Sequence, residues 1–140
     1  MELSTELWAL FGVFSIAALS IFIQAAHLGA AAGNAYAVSD RSAKPPFSGP
    51  IGGRLARNVR NQAEGLMLFI PLVIVSEFAG VSNLWTQWGA LVFISARALY
   101  VPLYAFAISP LRSMAWFAGF VSLFVYAWGI LSATYFAGGA

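Results

Sequence analysis

The sequence predicts an all-α integral membrane protein, a bundle of four transmembrane helices in a single domain over residues 1–140. Of the 140 residues, 61% are hydrophobic and 9% are charged, whereas a soluble domain carries about 25% charged residues. The chain also has room for four apolar stretches near the length of about 20 residues that crosses a bilayer. Segments rich in proline, glycine and polar residues separate these stretches.

The four helices are predicted at about residues 5–38, 54–78, 84–107 and 112–137. The stretch 39–53 is predicted to be a loop, because prolines and glycines at this density break helices.

The charges predict the orientation of the helices. All seven lysines and arginines lie in or near the first and third loops, whereas Glu2, Glu6 and Glu77 lie near the N-terminus and the second loop. The positive-inside rule then places the first and third loops in the cytoplasm and both termini outside. Trp116 marks the inner interface. Membrane lipids are therefore expected partners, and a net charge of +2 on so few embedded cations gives no reason to expect nucleic acid.

Two residue types limit the chemistry. The chain has no cysteine, and His27 is its only histidine. Disulfides, thiolate metal ligands and a zinc or haem site are therefore not expected, and we predict no metal. Any sulfur chemistry would need a thiol that the substrate brings.

The second helix begins with a polar, basic segment. Its uncharged part between Glu64 and Glu77 is shorter than the about 20 residues of a full span, so the helix must draw charged groups into the membrane. Ionisable groups there are costly and are by default candidates for a functional site. At about 100° per residue, Arg57, Asn61 and Glu64 share one narrow stripe.

The third helix carries a similar stripe of Arg97, Tyr100 and Tyr104, and Arg112 opens the fourth helix. All these groups lie at the cytoplasmic ends of their helices, so the stripes can face each other. The sequence therefore predicts a basic pocket that is open to the cytosol and bordered by lipid.

Simpler roles exist for several of these residues. Arg54 and Arg60 can anchor the span by reaching the headgroups. Glu64 can form a structural salt bridge with Arg57 or with Arg60, and Tyr100 can be an interfacial aromatic. Arg97 is interpreted as a site residue rather than an anchor. It lies about 18 Å along its helix from Trp85, which marks the outer interface, and Tyr104 still follows it on the same helix.

The predicted pocket suits an anionic thiol. Guanidinium groups bind carboxylates in a bidentate manner, and a positive site of low dielectric favours a thiolate over a thiol. The lipid border admits an apolar electrophile. Together these properties suggest an anionic thiol cosubstrate that attacks a hydrophobic compound.

These residues resemble the MAPEG family, the membrane-associated proteins in eicosanoid and glutathione metabolism. The resemblance rests on Arg57-x3-Asn61-x2-Glu64 and on Arg97-x2-Tyr100-x3-Tyr104 followed by Arg112, and it covers nearly the whole chain. The loop around Ala37-Val-Ser-Asp-Arg41 is similar to that of bacterial members, which implies a bacterial inner-membrane protein.

The resemblance implies a homotrimer that binds glutathione between subunits near the cytosolic face. Arg112 would stabilise the thiolate, with Tyr104 as a hydrogen-bond donor. The residues that would hold glutathione are Arg41, Arg57, Asn61, Glu64, Arg97, Tyr100 and Tyr104. The chain departs from the well-studied eicosanoid enzymes at Gly65, where they have a tyrosine.

Two functions fit these residues, and a third fits poorly. The first is a glutathione-dependent membrane transferase or peroxidase acting on a hydrophobic electrophile. The alternative is a non-catalytic binding or scaffold protein that uses the same basic pocket for an anionic ligand or lipid. A small multidrug exporter would need an acidic residue midway along the first helix, and the stretch from Leu7 to Val38 has none. The sequence leaves the electrophile open, and also the choice between conjugation, peroxide reduction and isomerisation.

Overall fold

The computed structural model describes residues 2–40, 42 and 49–137. These residues form the following α-helices: α1 (Thr5–Ala32), α2 (Asn34–Ala37), α3 (Gly49–Phe78), α4 (Leu84–Ala105) and α5 (Ser109–Ala137). Within this described part, four helices are long and apolar enough to cross a membrane, namely α1, α3, α4 and α5. The predicted all-α membrane class is therefore confirmed.

The helix boundaries differ from the predicted ones at the first loop and near α5. The first helix stops at Ala32, because Gly33 adopts a φ of 79° and its N–H donates to the carbonyl of Gly29 at 2.9 Å. The short helix α2 follows. The next long helix begins at Gly49, so the prediction of a loop as far as Gly53 was wrong for this part.

Proline explains the early starts of α3 and α5. Pro50 and Pro110 stand in the first turns of these helices. A missing N–H costs nothing there, because the first N–H groups of a helix have no intrahelical partner. The Pro-rich composition that predicted loops therefore marks helix starts at both positions.

Two glycines allow the helices α4 and α5 to pack closely against each other. The most extensive contact joins α4 and α5, and α1 packs against both α3 and α4. A Cβ at Gly89 would lie 3.0 Å from Cα of Tyr126, and a Cβ at Gly129 would lie 2.9 Å from the backbone nitrogen of Thr86. The two backbones can approach this closely only with glycine at these positions.

The end of the bundle near Glu6 is fixed by a buried carboxylate. Glu6 has no exposed surface. Its Oε1 accepts hydrogen bonds from Oγ1 of Thr86 at 2.5 Å and from Oγ of Ser82 at 3.0 Å. Glu77 accepts a hydrogen bond from Ser4. These bonds join the start of α1 to the end of α3, to the following turn and to the start of α4.

We expect Glu6→Ala to lower the free energy of unfolding by about 2 kcal/mol, because the Ser82 hydroxyl loses its acceptor and Thr86 keeps only its bond to the carbonyl of Asn83. Glu6→Gln should cost less, because the amide oxygen still accepts a hydrogen bond. Unfolding in mixed micelles measures the change, with Glu2→Ala at an exposed position as the control. Equal stability of Glu6→Ala and the parent would contradict this account.

Candidate functional site

The candidate site lies where α3 and α5 begin and α4 ends, which we call the arginine end of the bundle. Arg54 joins two of these helices. Its Nη1 donates to the carbonyl oxygen of Ala105 at 3.0 Å and its Nε to that of Pro50 at 3.3 Å. The carbonyls of the last helical turn lack intrahelical partners, so Arg54 satisfies one of them and fixes α3 against the end of α4.

Arg57 and Tyr104 form the first contact between the two predicted stripes. Nε of Arg57 donates to the phenol oxygen of Tyr104 at 2.9 Å. The ring of Tyr104 is buried, and its centroid lies 5.3 Å from that of Tyr100. Because the phenol oxygen accepts from Arg57, the phenol's own proton stays available for a second acceptor.

Arg97 and Asn61 form the second contact. Nη1 of Arg97 donates to Oδ1 of Asn61 at 2.6 Å and to its backbone carbonyl at 3.3 Å. Only 5% of Arg97 is exposed, and its guanidinium carbon lies 4.9 Å from the ring centroid of Phe93. Arg97 thus orients Asn61 from inside the bundle.

Arg112 completes the site from α5. Its guanidinium carbon lies 4.9 Å from the ring centroid of Tyr104, which is a cation–π distance. A cleft of about 270 Å³ opens beside this pair. The residues that line it are Asn61, Tyr100, Tyr104, Arg112, Ser113 and Trp116.

The site carries an excess of positive charge. Within the described residues the ion pair is that of Arg60 with Glu64, and no carboxylate forms an ion pair with Arg57, Arg97 or Arg112 there. Cations that are drawn into a bundle of this kind are costly unless an anion or hydrogen-bond acceptors face them. The arrangement therefore suits an anionic ligand.

Glu64 is placed differently from the other members of the predicted pocket. Its Oε1 accepts from Nε of Arg60 at 3.0 Å, and the two side chains are 55% and 80% exposed. Of the two partners left open by the sequence, Arg60 is the one found. Glu64, Arg57 and Arg97 do not line the cleft in the single chain. Arg57 and Arg97 are nevertheless bonded to residues that do, Tyr104 and Asn61, whereas Glu64 is not. Arg41 lies outside the described residues, so its predicted role stays a prediction.

We expect Arg60→Ala to change the free energy of unfolding by less than about 1 kcal/mol, because exposed ion pairs contribute little. The change should also leave the cleft intact, since Arg60 does not line it. Unfolding in micelles and ligand titration measure both effects. A loss of ligand binding as large as that of an Arg57 variant would show that Arg60 belongs to the site.

Two residues of the cleft were not predicted as site residues. Ser113 follows Arg112 directly, and Trp116 lies one turn later on the same face of α5. The sequence predicts Trp116 only as an aromatic residue of the inner interface. The spacing of four residues from Arg112 was the signal that could have placed it beside the site.

Among the described residues, no group of three or more His, Cys, Asp and Glu side chains is placed to hold a metal ion. The fold and the cleft define a class, a multi-pass membrane protein with four apolar helices and a basic, tyrosine-lined cleft at one end. The chain belongs to the MAPEG family, whose family model matches residues 5–132. Comparison with curated proteins and with solved structures gives no match to this chain.

Proposed function

We propose that this protein is an integral membrane, glutathione-dependent transferase or peroxidase that acts on a hydrophobic electrophile. The observation that carries the proposal is the cleft in which Arg112 lies over Tyr104 beside Asn61 and Tyr100. Membership of the MAPEG family supports glutathione as the thiol.

The cations of the site would bind and activate the tripeptide. Glutathione carries two carboxylates and one amine, and a guanidinium binds a carboxylate through two parallel hydrogen bonds. Arg57, with Arg41 from the first loop, would hold carboxylates. Asn61 and Tyr100 would bind the peptide groups, and Arg97 would support Asn61.

Arg112 would stabilise the thiolate. A cation beside the sulfur favours the charged form and so lowers the pKa of the bound thiol. The thiol would release its proton to water at the opening of the cleft. The thiolate sulfur would then attack the electrophilic atom and form a bond to it, while the leaving group departs with the electron pair. Tyr104 has its O–H free to donate because its oxygen accepts from Arg57, so it would donate a hydrogen bond to the thiolate sulfur or to the leaving group.

The exposed pair of Arg60 and Glu64 supports assembly into a homotrimer. Both side chains lie on the outside of the single chain, and a charged pair facing lipid within a span is costly. A neighbouring subunit that packs against Glu64 would bring its carboxylate to a shared site, where it would bind the amine of glutathione, while Arg60, the more exposed partner, would stay outside that site. The positive-inside rule places this end in the cytoplasm, and the resemblance to bacterial members suggests the inner membrane of a bacterium.

Turnover in reconstituted vesicles tests the proposal. We expect purified protein to accelerate conjugation of glutathione with an aryl halide, or reduction of a lipophilic hydroperoxide, above the rate of protein-free vesicles. Arg60→Ala should retain this rate. Saturable binding of glutathione without turnover across a panel of electrophiles would instead support a non-catalytic binding protein that uses the same pocket.

A further inference from the structure

Gly65 lies directly under the guanidinium of Arg97. A Cβ at this position would come within 2.7 Å of Cζ, 2.8 Å of Nη2 and 2.9 Å of Nε of Arg97. On its other side the guanidinium faces the ring of Phe93 at 4.9 Å. The group is therefore held between the backbone of α3 and an aromatic ring, in space that exists because residue 65 has no side chain.

The position of Arg97 determines the direction of the Asn61 amide. Nη1 of Arg97 donates to Oδ1 of Asn61 at 2.6 Å, so the amide oxygen is engaged inside the bundle. The NH₂ group is then left to donate, and Asn61 lines the cleft. A guanidinium that moved away from Gly65 would release the amide oxygen and let the side chain rotate.

We propose that Gly65 is a positioning residue that directs the Asn61 amide toward the bound ligand by making room for Arg97. The proposal rests on the proposed function, since it takes glutathione as the ligand. The steric contact with Arg97 supports this proposal. No positive φ requires glycine at residue 65, and a glycine inside a helix makes the helix less stable than an alanine does. The contact with Arg97 is the feature of the structure that accounts for glycine at this position.

The guanidinium is the far end of the Arg97 side chain, so a methyl group at residue 65 displaces the guanidinium rather than the helix. Gly65→Ala should therefore fold, because the higher helix propensity of alanine offsets part of the cost of the hydrogen bond that Arg97 loses. A merely structural glycine would lower stability and leave ligand binding unchanged. The ligand affinity of the folded variant thus separates the two roles.

A double-mutant cycle tests the proposal with glutathione as the probe. We expect Gly65→Ala to raise the Kd about tenfold, the effect of one lost hydrogen bond. In an Asn61→Ala background, Gly65→Ala should alter the Kd less than about twofold, because the amide through which Gly65 affects binding is absent. Gly29→Ala, which places a methyl group where nothing lies within 4 Å, should leave the Kd unchanged. An equal effect of Gly65→Ala in both backgrounds, or no effect in the parent, would overturn the proposal.

A second measurement separates this inference from the proposed function. The chain has four asparagines, so selective ¹⁵N labelling gives few side-chain amide signals, and Asn61→Ala identifies the signal of Asn61. Without ligand, Gly65→Ala should shift that signal and Gly29→Ala should not. If the parent binds no glutathione, the proposed function fails and the shift alone decides the role of Gly65. An unshifted signal would overturn that role even if glutathione binds.

Discussion

Arg112→Ala is expected to lower kcat/KM for glutathione turnover about 100- to 1,000-fold, because the bound thiol would lose the cation that keeps it ionised and the fraction present as thiolate would fall. The guanidinium lies over the Tyr104 ring at 4.9 Å and lines the cleft. It has no carboxylate partner among the described residues, so its positive charge is not neutralised before a ligand binds.

The thiolate itself provides the measurement. Bound glutathione should show ultraviolet thiolate absorbance in the parent protein at a pH where free glutathione is mostly protonated, and this absorbance should be lost in Arg112→Ala. Arg60→Ala is the matched control, because it removes an arginine at the same end without touching the cleft. Equal thiolate absorbance in the parent and in Arg112→Ala would remove Arg112 from its proposed role.

Arg57→Ala is expected to raise the KM for glutathione about 10- to 100-fold, the range for a lost hydrogen bond to a charged group. The maximal rate should fall less, because Arg112 remains. Arg57 also donates to the Tyr104 phenol at 2.9 Å, so its loss leaves that oxygen without this donor.

Steady-state kinetics at varied glutathione distinguishes binding from chemistry. Arg57→Lys tests the geometry, since an ammonium cannot bind a carboxylate through two parallel N–H groups. It should recover only part of the affinity. A variant that loses kcat at unchanged KM would place Arg57 in the chemical step, contrary to this account.

The spans and the two polar stripes could be predicted from the sequence, because helical periodicity fixes which residues share a face. The structure brings Arg57 to Tyr104 and Arg97 to Asn61, pairs that join the two predicted stripes. Periodicity does not fix which of several neighbours a side chain chooses. The sequence therefore left both Arg57 and Arg60 as possible partners of Glu64, and the structure shows that Glu64 pairs with Arg60.

Other features depend on tertiary structure. The sequence places Glu6 near the N-terminus without a partner, whereas in the structure it is fully buried and Ser82 and Thr86 supply hydroxyl donors from a distant part of the chain. The local composition around Pro50 predicted a loop, whereas the proline occupies the first turn of α3. In the same way, the contact of Gly65 with Arg97 requires two helices to be packed, so only their relative placement reveals it.

Binding of glutathione at the arginine end can be measured by calorimetric titration of the purified protein. We expect saturable binding to the parent and to Arg60→Ala, and much weaker binding to Arg57→Ala. Absence of binding to the parent, or equal affinity in the parent and in Arg57→Ala, would contradict binding of glutathione at this end.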